Sequence, residues 1–123
     1  MDENAVDSAE QALALMRVLE LNGIEPTEDN LEQLGVMLDC VRIYDSRSKS
    51  YGQAWKQYGA LTNLLSAARK VDRLMESWWH RGEGSLHKDG LDDAVDGINY
   101  FVFFMRMVRL GRITGSPPQR PEQ

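Results

Sequence analysis

The chain has 123 residues, of which 42% are apolar and 27% charged, with a net charge of −5. That length supports one domain around one hydrophobic core, and the composition is that of an ordinary globular protein. The longest apolar run, Tyr100 to Met105, ends at Arg106 and falls far short of the roughly 20 residues a membrane span needs.

Cys40 is the only cysteine, so an internal disulfide is excluded and a reducing, cytoplasmic setting is expected. The acidic N-terminus lacks the basic region that opens a signal peptide. Charge is unevenly spread. Residues 1–41 carry ten acids against Arg17 alone, net −9, whereas residues 42–73 are net +5 and residues 74–123 net −1. A basic centre in an acidic protein argues against broad DNA or RNA binding, which needs a larger positive field, but permits a local phosphate site. Solvated helix faces explain the same charges without any ligand.

The predicted elements are helical throughout. The first helix runs from Asp2 or Ser8 to Asn22, with Leu13, Met16, Leu19 and Leu21 at helical spacing. Gly23 is placed to end it in a left-handed cap, and Pro26 delays the next start. Thr27 caps the second helix, with Glu28 and Asp29 favoured in its first turn by the helix dipole. Leu31, Leu34, Leu38 and Val41 give it an apolar stripe, widened by Met37, Cys40 and Tyr44, and it is expected to end between Asp45 and Ser50.

A third helical region is expected from Tyr51–Trp55 through Trp79, with a break near Gly59. Leu61, Leu64, Leu65, Ala68, Val71, Met75 and Trp78 fill its broad apolar face. Three glycines between His80 and Gly90 mark a connecting loop or lid, without zinc spacing around His80 or His87. The fourth helix spans about 91–110, followed by Gly111, and is expected to pack through Leu91, Val95, Ile98 and Val102. With Phe101, Phe103 and Phe104 pointing elsewhere, it is apolar nearly all round, which predicts a homo-oligomer. The proline-rich segment 111–123 is expected to be a disordered tail behind a single domain over 1–110.

Two constellations bear on chemistry. Asp93, Asp96 and Asn99 follow one another at single-turn spacing on the fourth helix. Carboxylates so placed repel by a few tenths of a kcal/mol unless a cation intervenes, and Mg²⁺ accepts one or two of them together with phosphate oxygens. An acidic first turn favoured by the dipole accounts for Asp92 and Asp93, less well for Asp96 and Asn99. The other constellation is Lys49, Tyr51, Gly52, Ala54 and Trp55, followed by Lys70 and Arg73 one turn apart. Here aromatic faces suit a base, cations suit phosphate, and Gly52 suits a turn. Anchoring of Tyr51 and Trp55 in the core is the alternative.

The pattern K-x-Y-G-x-A-W, then K-x-x-R, then D-x-x-N-Y, within residues 44–109, resembles the nucleotide modification associated domain 1 family of phages and bacteria. That family is similar to the all-α, MazG-like nucleoside triphosphate pyrophosphatases. The resemblance implies a helical bundle of four to five helices in the host cytoplasm, and nucleotide binding or processing tied to nucleotide metabolism or DNA base modification. It implies Mg²⁺ at Asp93, Asp96 and Asn99, and a nucleotide or modified nucleotide at Lys49, Tyr51, Gly52, Trp55, Lys70, Arg73 and Tyr100. Asp93 and Asp96 resemble the second acidic pair of the pyrophosphatases. The first pair has no counterpart, because Asp72 and Glu76 are spaced by four residues where the family has three. A non-catalytic helical module for oligomerisation or interaction is the reading from a different class.

Overall fold

A computed structural model describes residues 3–80 and 88–114. The glycine-rich loop with His87, the tail from residue 115, and the Tyr51 side chain lie outside the described residues. The chain is all-α: α1 (Glu3–Leu21), α2 (Glu28–Tyr51), α3 (Ala60–Met75) and α4 (Lys88–Arg109). A 3₁₀ turn, Ala54–Gln57, precedes α3, and a wider π turn, Glu76–His80, follows it. None of the described helices is long and apolar enough to cross a membrane.

The helix ends obey local chemistry. Gly23, Gly52 and Gly111 follow α1, α2 and α4 with φ of 72°, 76° and 75°, a left-handed conformation that costs glycine little. After α1 the Ile24 N–H reaches the Leu19 carbonyl at 2.9 Å, and after α4 the Arg112 N–H reaches Met107 at the same distance. Thr27 caps α2 through its hydroxyl, which accepts the Asn30 N–H at 3.0 Å.

The chain divides into two compact units, Met1–Asp39 and Cys40–Gln123. In the first, α1 and the start of α2 are joined by the Gly23–Thr27 turn, where Asn30 Nδ2 donates to the Glu25 carbonyl at 2.8 Å. Leu19 is its buried apolar residue.

The second unit is built on an antiparallel α3–α4 pair. The buried side of α3 is Ala60, Asn63 and Ala67, continued by Lys70, one residue per turn. The buried side of α4 is Asp93, Gly97, Phe103 and Met107. Small residues on this line let the helices approach, and a Cβ built on Gly97 would lie 3.6 Å from that of Lys70. Trp55, Ala60, Phe103 and Met107 form the core, with Tyr44, Tyr100 and Phe104 packed against it.

This corrects the expected packing face of α4. Leu91 is 67% exposed, and Ile98, Val102 and Met105 are exposed as well. The apolar positions that periodicity assigns to the core are turned outward, because the contact is made by Phe103 and Met107 at one end and, at the other, by small and polar residues that let the backbones approach near Gly97 and Lys70.

The tail also begins differently from the expectation. Residues 112–114 are held against the start of α3, where the Ala60 and Leu61 N–H groups donate to the carbonyls of Arg112 (2.8 Å) and Ile113 (3.0 Å). A helix start leaves N–H groups without intrahelical acceptors, and Gly59, just before α3, offers no side-chain cap. The returning chain supplies the acceptors. Gly59 permits this, since a Cβ there would land on the Thr114 carbonyl.

Candidate functional site

The C-terminal half of α2 carries Cys40, Tyr44, Arg47 and Ser48 at helical spacing. Asn99 of α4 donates through Nδ2 to the Cys40 carbonyl at 3.1 Å, fastening the two helices together. Where α2, the 3₁₀ turn and α4 meet lies a cavity of about 230 Å³. Its aromatic lining is Tyr44, Trp55, Tyr100 and Phe103, and its polar lining includes Arg47, Ser48, Asp96 and Asn99. Gly52, immediately after α2, also borders it.

Trp55 is largely taken up by the core. Its ring stacks on Phe103 at 4.1 Å with an 8° interplanar angle, and Tyr44 meets it edge-on at 6.3 Å. The Arg106 guanidinium lies over the indole at 4.4 Å, a cation–π contact. The buried side chain of Asn63 donates to the carbonyls of Trp55 (3.4 Å) and Gly59 (3.1 Å), pinning the 3₁₀ turn to α3.

The Tyr44 hydroxyl is held below the ordinary phenol value of 10.0. Burial acts to raise it, and is outweighed by the Trp55, Arg106 and Ser48 side chains together with the positive charge of Arg106. Trp55 Nε1 itself is buried without a hydrogen bond of good geometry, so its effect on Tyr44 is one of proximity.

At the cavity edge Asp96 pairs with Arg47 and, at 3.2 Å, with Lys70. Lys70 also reaches Asp93 at 3.8 Å, and Arg73 Nε meets Asp93 at 3.4 Å. Three cations from α2 and α3 thus meet two carboxylates on α4. The Lys70 ammonium stands between Asp93 and Asp96, where a bridging metal would sit. Among the described residues no group of three or more His, Cys, Asp or Glu side chains could hold a metal ion. Mg²⁺ takes one or two carboxylates together with water and phosphate oxygens, and here it would have to displace Lys70 to reach this pair.

Of the residues singled out in the sequence, Gly52, Trp55, Asp96, Asn99 and Tyr100 line one cavity. Asp93, Lys70 and Arg73 join it through Asp96. Lys49 does not: its exposed ammonium pairs with Asp45 at 3.0 Å. Tyr44, Arg47 and Asn63 were not singled out as site residues. The signal for the first two is their place one and two turns beyond Cys40 on α2; nothing in the sequence separates Asn63 from the other polar residues of α3, such as Thr62 and Ser66. Comparison of the chain with protein-family models, with curated proteins and with solved structures returns no match.

Proposed function

We propose that this protein binds a nucleotide or modified nucleotide, the base entering the cavity between α2, the 3₁₀ turn and α4. The observation that carries this is the cavity's lining: aromatic side chains beside Arg47, Ser48, Asp96 and Asn99. A flat heteroaromatic ring with polar edges matches such a lining. At about 230 Å³ the cavity lies below the roughly 300–1,000 Å³ of drug-sized pockets, so it suits the base and leaves phosphates outside. Phage-type nucleotide metabolism or DNA base modification is the setting the sequence resemblance supports. The carboxylate pair is already neutralised by Lys70 and Arg73, which favours binding over metal-dependent pyrophosphate hydrolysis.

Titration calorimetry of the full chain with nucleosides and nucleoside mono- and triphosphates, with and without Mg²⁺, tests the reading. Tyr100→Leu should weaken nucleoside binding about ten-fold, since stacking is worth about 1–3 kcal/mol per base. Lys49→Ala should change little, because Lys49 stands outside the cavity. Absence of binding for every base, or unchanged affinity in Tyr100→Leu, would overturn it. Mg²⁺ must displace Lys70 to reach the carboxylates, so a strict Mg²⁺ requirement would restore the metal site.

A second reading, assembly with another copy of the chain, rests on the outer face of the α3–α4 pair. Leu61, Leu65, Val71 and Met75 on α3 and Leu91, Ile98, Phe101, Val102, Met105 and Val108 on α4 are exposed. At 100° per residue these positions are centred roughly 120° round from the contact line on α3 and roughly 140° on α4, with a broad spread about each centre. In antiparallel neighbours that rotation leads to the same side of the pair. Strips about 10 Å wide along helices of 16 and 22 residues project roughly 600 Å², comparable with the roughly 800 Å² per partner of a stable interface. Binding and assembly are compatible, because Asp96, Asn99 and Phe103 lie on the opposite side.

A further inference from the structure

A second cavity, of about 280 Å³, lies between the 3₁₀ turn and the C-terminal end of α4, lined by Trp55, Lys56, Arg106, Met107, Leu110 and Arg112. Three of its six lining residues are cations and none is an acid. Elsewhere in this unit Arg47, Lys49, Lys70 and Arg73 have carboxylate partners, while among the described residues Arg69 and Arg109 stand alone on the helix surface without lining this cavity. Among the described residues Lys56, Arg106 and Arg112 have no ion pair. We propose that this cavity binds an oxyanion of the phosphate type.

The fold holds the three cations together without neutralising them. Arg106 is laid over the Trp55 ring at 4.4 Å, with the Lys56 ammonium 5.8 Å from the same ring. Arg112 Nη1 donates to the Lys56 carbonyl at 3.4 Å, and its own backbone is fixed at both ends by the Met107 and Ala60 hydrogen bonds. Arg106 directs part of its edge to the Tyr44 hydroxyl, and a guanidinium held by its face keeps the rest of its five N–H groups for an acceptor such as phosphate. Helix polarity alone favours cations in the last turn of α4 and accounts for Arg106. It does not account for Arg112, which the turn at Gly111 returns to the helix end, nor for Lys56, which meets Arg106 only through the tertiary fold.

Trp55 lines both cavities, so a phosphate here could belong to the ligand of the first cavity or be bound independently. The site is read directly by two-dimensional amide NMR of the full chain titrated with inorganic phosphate, then with a nucleoside monophosphate and the matching nucleoside. Phosphate should shift the Lys56 and Arg112 amides and the Trp55 indole N–H saturably. Lys56→Gln and Arg112→Gln should each weaken binding at least five-fold, while Lys49→Gln leaves it unchanged. Arg112→Lys, which retains charge, should keep most of the affinity and serves where Arg112→Gln fails to fold. Non-saturating shifts, or an equal loss in Lys49→Gln, would overturn the proposal. Saturable phosphate binding without any response to nucleoside leaves this site standing and removes the base-binding reading; the reverse result removes this site alone.

Discussion

Asp96 is the residue on which the two views of the acidic row diverge. If it were one of a crowded carboxylate pair awaiting a metal, neutralising it would relieve repulsion and stabilise the protein without ligand. In the structure it accepts from Arg47 and Lys70 with its side chain 15% exposed, so its loss leaves two cations short of a partner. Asp96→Asn should therefore lower stability, by about 1.5–3 kcal/mol, in urea denaturation. An increase in stability would return the row to a metal role. Tyr44 offers a test through pH. Its folded-state pKa lies below the unfolded value of 10.0, so folding favours the phenolate. The resulting stabilisation is complete above the unfolded value and vanishes below the folded one. Relative to Tyr44→Phe, the native protein should gain stability as pH rises toward 10, measured by urea denaturation across that range.

At the level of elements, the α3–α4 pair is set by its small and polar contact residues more than by leucines. Its weakest joint is the start of α3, where acceptors come from residues 112 and 113. Gly59→Ala places a methyl on the Thr114 carbonyl and forces that segment away. The expected cost is about 1–3 kcal/mol, the usual range for overpacking. Amide exchange should report it first at Ala60 and Leu61, whose N–H groups lose their acceptors. Unchanged protection at those two amides would show that the returning segment is not their cap.

For the whole molecule, an unmatched surface among the described residues is the outer face of α3 and α4; α1 and α2 carry further exposed apolar residues, such as Leu13 and Val36. Sedimentation of the native chain at micromolar concentration should show a homo-oligomer, and Ile98→Glu should shift it to monomer by placing a charge on the apolar face. Because that residue is 40% exposed within one copy, the helical circular dichroism should be retained. A native chain that sediments only as monomer would remove the assembly reading and leave nucleotide binding untouched.

Periodicity and capping residues by themselves determined the all-α class and most helix boundaries. Gly23, Thr27 and Gly111 act through neighbours one to four residues away, so their chemistry is complete in the local sequence. The break at Gly59 was legible for the same reason. Asp96, Asn99 and Tyr100 were legible as a group because one helix presents them at fixed spacing. Which face of α4 is buried was not legible. The Leu91–Val95–Ile98–Val102 arc and the Asp93–Gly97–Met107 arc compete, and close backbone approach decided for the second once Ala60 and Ala67 of α3 lay opposite. The partners of the acids were hidden for a related reason. Arg47 and Asp96 are 49 residues apart, and no local pattern states that α2 and α3 will place their cations on that row. The Lys56–Arg106–Arg112 cluster divides the same way: the turn at Gly111 returns Arg112 to the end of α4 locally, and only the tertiary fold brings Lys56, 50 residues before Arg106, to join them.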